Sequence, residues 1–295
     1  MLIAEKTELL ANSPAELVRR IDDLPSLPAI YFRVKSVIER PDAPLFAVER
    51  EISSDAGLTS RLLCLANSTY YSVRGTLDSV GLALSVLGTE QVKHLLLVTS
   101  MATAFRGISP GLMDMRKFWR LNAYRALVAR ALARQNRRFD GERSFVEGLL
   151  GDIGHLVMYL GMPHAAQQAL LRSRETGEPL HRVERDMLGF DYTDVGAELL
   201  AAWNISPQVE AAVRHHQAPL VAGGTAAGDA SILHIATLFA EAEFVSEAIE
   251  SWGRRVDPVI WLEAGLSADC MPDVRIRVQD ALGALEQALM PAPSK

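Results

Sequence analysis

The sequence predicts an all-α protein, and three observations predict it. Apolar residues recur at helical spacing in nearly every segment, as Leu58, Leu62 and Leu65 do in SDAGLTSRLLCLAN. Helix-start and helix-stop residues punctuate those segments. No stretch alternates polar and apolar residues long enough to make a strand.

The elements follow in order. SPAELVRRID opens on Ser13, with Pro14 at the first helical position and Glu16 three residues on, the pattern of a capping box. SDAGLTSRLLCLAN carries the leucine stripe. LDSVGLALSVLG stops at Gly88, and TEQVKHLLLVTSMATAF follows at once. RGISPG is a break. FWRLNAYRALVARALARQN is rich in strong helix formers. ERSFVEGLLGDIGHLVMYLG, PHAAQQALLRSRE and PLHRVERDMLG come next. DYTDVGAELLAAWN and SPQVEAAVRHH start on the N-caps Asp191 and Ser206, with Pro207 first in the second helix. VAGGTAAGD reads as a linker. DASILHIATLFAEAEF, DPVIWLEAGL and PDVRIRVQDALGALEQALM close the chain as helices. No repeat of fixed period marks a solenoid.

Composition narrows the function classes. The chain has 295 residues, 49% hydrophobic and 22% charged, enough for a large core. A net charge of -6 argues against a general nucleic-acid surface. Asp140 and Glu142 interrupt the arginines of RRFDGER, which reads as a solvated turn. HLLLVTSMATAF is too short to span a membrane. The acidic start, MLIAEKTELLANSPAE, lacks the pattern of a secretory leader. Cys64 and Cys270 are too few for a disulfide framework, so a cytoplasmic location is expected. Only Arg61 stands near Cys64, a poor setting for a reactive thiol. VAGGTAAGD follows no strand and lacks the Lys-Ser/Thr ending of a phosphate loop. Neither Ser68 nor Ser144 sits in a nucleophile elbow.

The stretch EGLLGDIGHLV concentrates the candidate chemistry. Asp152 and His155 are three residues apart, one face of a helix. Gly148, Gly151 and Gly154 recur at steps of three and predict close helix packing. Further on, His215 and His216 are adjacent, about 100° apart around a helix, so both rarely reach one centre. His94, His164, His181 and His234 are single histidines, read as surface or satisfied residues. Asn67 and Ser68 read as helix-end capping, and Tyr70, Tyr71, Trp119 and Trp203 as core or groove-lining aromatics.

The order of LPSLPAI, SSDAGLTSRLLCLANSTYY, LDSVGLALSVLG, FW, FVEGLLGDIGHLV and GFDYTDVGAELLAAWNISPQVEAAVRHH resembles the HDOD family, from roughly Ile21 to Pro219. One departure is Ala56, where that family usually has proline. The resemblance implies an N-terminal helical lobe over about 21–107 and an HD-like helical lobe over about 111–219. A helix at 1–20 would precede them and a helical extension at 220–295 would follow. HDOD proteins are related to the HD metal phosphohydrolases but are regarded as lacking the metal site. The first metal histidine would fall at Leu121 or Asn122, and the His-Asp pair falls on Gly151 and Asp152. Another histidine is replaced by Tyr192, and the last aspartate would fall near Thr237. Asp152, His155, His215 and His216 are then the relic of a metal centre and a candidate ligand pocket. A catalytic metal needs about three protein ligands and an open position, and a two-metal site needs more. Asp152 is expected to accept hydrogen bonds from backbone N–H groups or from His215 or His216.

The resemblance therefore implies no catalytic residue, no metal and no cofactor. It implies a regulatory module in bacterial signal transduction that acts by protein contact. With no receiver, cyclase or phosphodiesterase segment attached, partners are expected in trans, in networks such as cyclic-di-GMP signalling or motility. The alternatives are a divergent phosphohydrolase and a nucleotide-binding pseudoenzyme. A groove between the lobes is expected at the RGISPG joint.

Overall fold

A computed structural model describes residues 12–21, 29–40, 42–67, 71, 75–105, 108–245 and 253–289. Every regular element among them is helical, as predicted. Most of LPSLPAI, together with Ser68 and Tyr70, lies outside the described residues.

Among the described residues, five helices build the N-terminal lobe: α2 (Ala29–Ile38), α3 (Leu45–Ser53), α4 (Ala56–Ala66), α5 (Val80–Leu87) and α6 (Thr89–Ala104). Asp55 caps α4 by accepting from Leu58 N at 2.8 Å, so Ala56 enters the helix without needing proline. The predicted stripe of Leu58, Leu62 and Leu65 is buried beside Val48, Ile52, Val80 and Leu84. Asn67 closes α4 and pins the following loop: its amide donates to Leu63 O and Leu77 O, and its Oδ1 accepts from Leu77 N at 2.7 Å. Gly88, at φ 87°, makes the sharp passage from α5 to α6 that a side chain would resist.

The second lobe runs from α7 (Met115–Ala133) through α8 (Gly141–Leu150), α9 (Ile153–Gly161), α10 (Pro163–Thr176), α11 (Leu180–Leu188), α12 (Tyr192–Ala202) and α13 (Pro207–His215) to α14 (Gly224–Phe244). Asp191 and Ser206 cap α12 and α13 as expected. Two expectations need correction. VAGGTAAGD is the start of a helix: Gly223 and Gly224 turn the chain at φ 69° and 54°, and the alanines then carry α14. RRFDGER is a solvated turn only in part: Arg137 and Arg138 are exposed turn residues as expected, but the stretch then enters α8 and its charges are engaged. Asp140 caps α8, Glu142 is buried against Arg130 at 2.5 Å, and Arg143 holds Asp229 at 2.9 Å.

The outer helices cross between the lobes. α1 (Pro14–Arg20) packs on α9 and α12, with Leu17 and Ile21 over Gly161. Its cap is shifted from the predicted box: Ser13 accepts from Glu16 N, but the Glu16 carboxylate takes the N–H of Asn12. α15 (Pro258–Ala264) packs on α14. α16 (Met271–Leu289) lies across α7 and reaches α4 and α6. One apolar core runs through both lobes, with Trp119 and Trp203 inside it. Tyr71 packs against that core under the Arg130 guanidinium, 5.0 Å from its ring centroid. No helix among the described residues is long and apolar enough to cross a membrane.

Candidate site at the α8–α9 break

Gly151 and Asp152 interrupt what the sequence presents as one helix. α8 ends at Leu150 and α9 begins at Ile153, with Asp152 at φ -102°, ψ 8°. Asp152 stands at the head of α9 but caps nothing. Its Oδ2 accepts from Arg125 Nη2 at 2.6 Å. Arg125 is fully buried, and its Nη1 donates to Asn122 Oδ1 at 3.2 Å. A Cβ on Gly151 would lie 2.7 Å from that Nη1, so the glycine gives the guanidinium its room beside the carboxylate. The expected partners of Asp152, backbone N–H groups or His215 and His216, are thus replaced by an arginine 27 residues away. One signal for it stands in the sequence. Arg125 lies between Ala123, Tyr124, Ala126 and Leu127, and a charge among such residues calls for a buried counter-charge.

The other glycines pack as predicted, though against two helices. A Cβ on Gly148 would lie 2.8 Å from Ala126 N in α7, and one on Gly154 would lie 2.6 Å from Gly196 N in α12. The break between them turns the two faces apart.

His155 reaches a second partner that sequence reading missed. Its Nε2 lies 3.2 Å from Glu184 Oε1 on α11, while Glu184 Oε2 accepts from Tyr192 N at 3.1 Å. The imidazole is stacked on Tyr192 at 3.9 Å and lies 5.8 Å from the nearly parallel ring of Tyr159. Tyr192 links it to His216, its hydroxyl 3.0 Å from His216 Nε2 and accepting from Gln217 Nε2 at 2.6 Å. His216 Nδ1 lies 2.7 Å from Val213 O, so Nδ1 carries the proton and Nε2 accepts from Tyr192. His234 Nδ1 in turn donates to the His216 carbonyl at 2.7 Å, which satisfies it as expected.

Three of the four predicted residues, Asp152, His155 and His216, therefore form one buried cluster. His215 does not join it. It is half-buried on the other side of the helix, in the field of Arg214 and Asp194. Thr237 spends its hydroxyl on Leu233 O in its own helix, and Glu241, one turn on, lines the cavity beside the cluster.

Electrostatics follow from this pairing. Burial raises the Asp152 carboxyl, but Arg125 outweighs it and holds the group below the usual carboxylate range. Burial disfavours the His155 imidazolium, yet Glu184 overrides it and its pKa is raised. His216, buried and close to Arg125, is pushed down to about 3 and stays neutral.

These donors do not fit a metal. The Asp152 carboxylate is held by Arg125, Nε2 of His155 faces Glu184, and both nitrogens of His216 are engaged. Among the described residues no group of three His, Cys, Asp or Glu side chains is arranged to hold a metal ion. A cavity of about 500 Å³ opens over the cluster between α7, α10, α11 and α14. A second, of about 570 Å³, lies between the lobes. It is lined from α2, α6, α8 and the start of α13, so the groove expected at RGISPG lies elsewhere. His94 lines it with a buried Nδ1 that has no hydrogen-bond partner among the described residues, contrary to its reading as surface or satisfied.

Comparison with known proteins places this architecture. An uncharacterized protein of Treponema pallidum (strain Nichols) is 28% identical over 223 residues, 74% of this chain. The chain spans 42% of that relative's length. A solved structure from Shewanella amazonensis SB2B, provisionally named a phosphohydrolase, superposes with a TM-score of 0.76 at 23% identity, over 94% of this chain and 99% of its own. An HDOD domain protein with unknown function from Geobacter sulfurreducens gives 0.76 at 19%, over 95% and 99%. A Marinobacter aquaeolei VT8 protein, provisionally named for signal transduction, gives 0.70 at 21%, over 92% and 64%. At such identities these structures share the fold. The family model of the HDOD domain matches residues 24–219.

Proposed function

The chain belongs to the HDOD domain family, and we propose that it is a non-catalytic signal-transduction module that works by binding other proteins. The observation that carries this reading is the closure of the old centre. Metal-dependent hydrolysis needs about three side chains free to hold the ion that activates water, and among the described residues no such group is arranged. Here Asp152 holds Arg125, His155 faces Glu184, and His216 sits between Tyr192 and Val213.

The N-terminal lobe supports a contact role. α3 and α5 pack together and expose Leu45, Phe46, Leu82 and Val86, with Phe46 66% exposed. Exposed apolar side chains gathered on neighbouring helices favour a protein partner. We place the protein in the cytoplasm, acting in trans on signalling proteins such as those of cyclic-di-GMP or motility networks, with no part in nucleic-acid binding. Its two free cysteines are in keeping with a reducing compartment.

The test pairs two measurements. A pull-down from cells that encode the protein should retain an identified signalling protein. The double variant Phe46→Ser with Val86→Ser should lose it at an unchanged melting temperature. Hydrolysis of nucleotides or cyclic dinucleotides by the purified protein with manganese, abolished by Asp152→Asn, would establish the phosphohydrolase reading instead.

A further inference from the structure

We propose that the cavity over Asp152 binds a small neutral molecule with an apolar, ring-sized body and a primary amide head, the amide donating to Asp152 and accepting from His155. At about 500 Å³ the cavity is in the range of small-molecule sites. Phe118, Leu121, Leu170, Leu238 and Phe244 give it an apolar wall from α7, α10 and α14. Its polar groups converge at the other side, where Asp152 and His155 both line it, each more than nine-tenths buried.

The head group follows from what those two residues have left to offer. Asp152 places Oδ2 on Arg125, and its Oδ1 has no hydrogen-bond partner among the described residues. His155 turns Nε2 to Glu184, a pairing that favours the protonated ring, so its Nδ1–H is the remaining donor of a residue that lines the cavity. A carboxylate oxygen thus stands three residues from an imidazole tied to a buried glutamate. An anionic head would meet the charge of Asp152, with Glu241 in the same lining. A cationic head would meet the imidazole side, with Lys117 and Arg255 also in the lining. A primary amide carries N–H donors for the carboxylate and a carbonyl for the ring, and it is neutral. Tyr159 adds to the case. It lines the same cavity and keeps a buried hydroxyl without a hydrogen-bond partner among the described residues, a group that native proteins rarely leave unsatisfied. This inference does not depend on the protein-contact reading: the surface offered there is on α3 and α5.

The probe is 4-phenylbenzamide, titrated by calorimetry into the full chain beside 4-phenylbenzoate and biphenyl-4-ylmethylamine. The amide should bind saturably at one site, and the acid and the amine at least tenfold more weakly. Leu121→Trp and, separately, Leu238→Trp fill the cavity from two walls at half-buried positions. Whichever variant keeps the wild-type melting temperature should lose amide binding at least tenfold. The proposal fails if the amide does not bind, if the acid or the amine binds as well as it does, or if a folded tryptophan variant binds it undiminished. Those outcomes leave the pull-down untouched, so the two readings stand or fall apart.

Discussion

The two lobes are held together inside by different means. The N-terminal lobe buries leucine, valine and isoleucine and keeps ion pairs such as Arg33–Glu51 and Lys35–Glu39 at its surface. The HD-like lobe buries charge. Arg125–Asp152, Arg130–Glu142 and His155–Glu184 all lie inside, and Glu147 is fully buried beside Arg143 and Asp229. Burial, with Asp229 nearby, pushes the Glu147 carboxyl well above its ordinary range. A buried pair roughly breaks even against well-packed apolar residues but is costly to halve. One lobe thus spreads its stability over area, while the other hangs on a few geometries.

The largest expected effect strikes the second lobe. Arg125→Ala leaves Asp152 buried without its counter-charge and should cost about 3–5 kcal/mol in urea unfolding. A loss under about 1 kcal/mol would mean the centre is not structural and would erase the contrast. Glycine substitutions sharpen it. Gly154→Ala drives a methyl group into the backbone of Tyr192 and Gly196 and should cost about 1–3 kcal/mol. Gly57→Ala in α4 meets only ordinary contacts at 3.4 Å and should cost nothing measurable in the same titration.

Acid should expose the same lobe. His216 titrates near 3 when folded, so the unfolded chain binds more protons below the ordinary histidine value of about 6.5. Stability should therefore fall by roughly 2 kcal/mol between pH 7 and pH 5 on this account. His155 works the other way: its raised pKa stabilises below about 6.5 and fades as pH climbs through the folded value. Urea melts at pH 5 and pH 7 should show His216→Gln flattening the acid loss and His155→Gln steepening it. The smallest effect belongs to the first lobe's surface. Phe46→Ser should leave stability within about 0.5 kcal/mol, since its ring is exposed.

The fold was legible where the signals are local. Caps at Asp191 and Ser206, the stop at Gly88 and the stripe through Leu62 all act within a few residues. The site was half legible. Spacing singled out Asp152 and His155, and the family pattern pointed to Tyr192 and His216. Arg125 and Glu184 were missed because each pairs across a long interval of chain, between helices whose contact no local pattern encodes. The linker reading of VAGGTAAGD failed for a related reason. Only Gly223 and Gly224 turn the chain, and the alanines after them favour helix.

The crossing of α1 and α16 sets the order of events during synthesis. α1 is made first, yet it must wait for α9 and α12 before it can bury Leu17. The N-terminal lobe is complete in sequence by Ala104, yet the α4 surface that α16 covers stays open until Leu289 has cleared the ribosome. Each lobe is thus finished by a helix encoded beyond the other. A nascent chain stalled before α16 is therefore expected to present its unfinished apolar surface to chaperones.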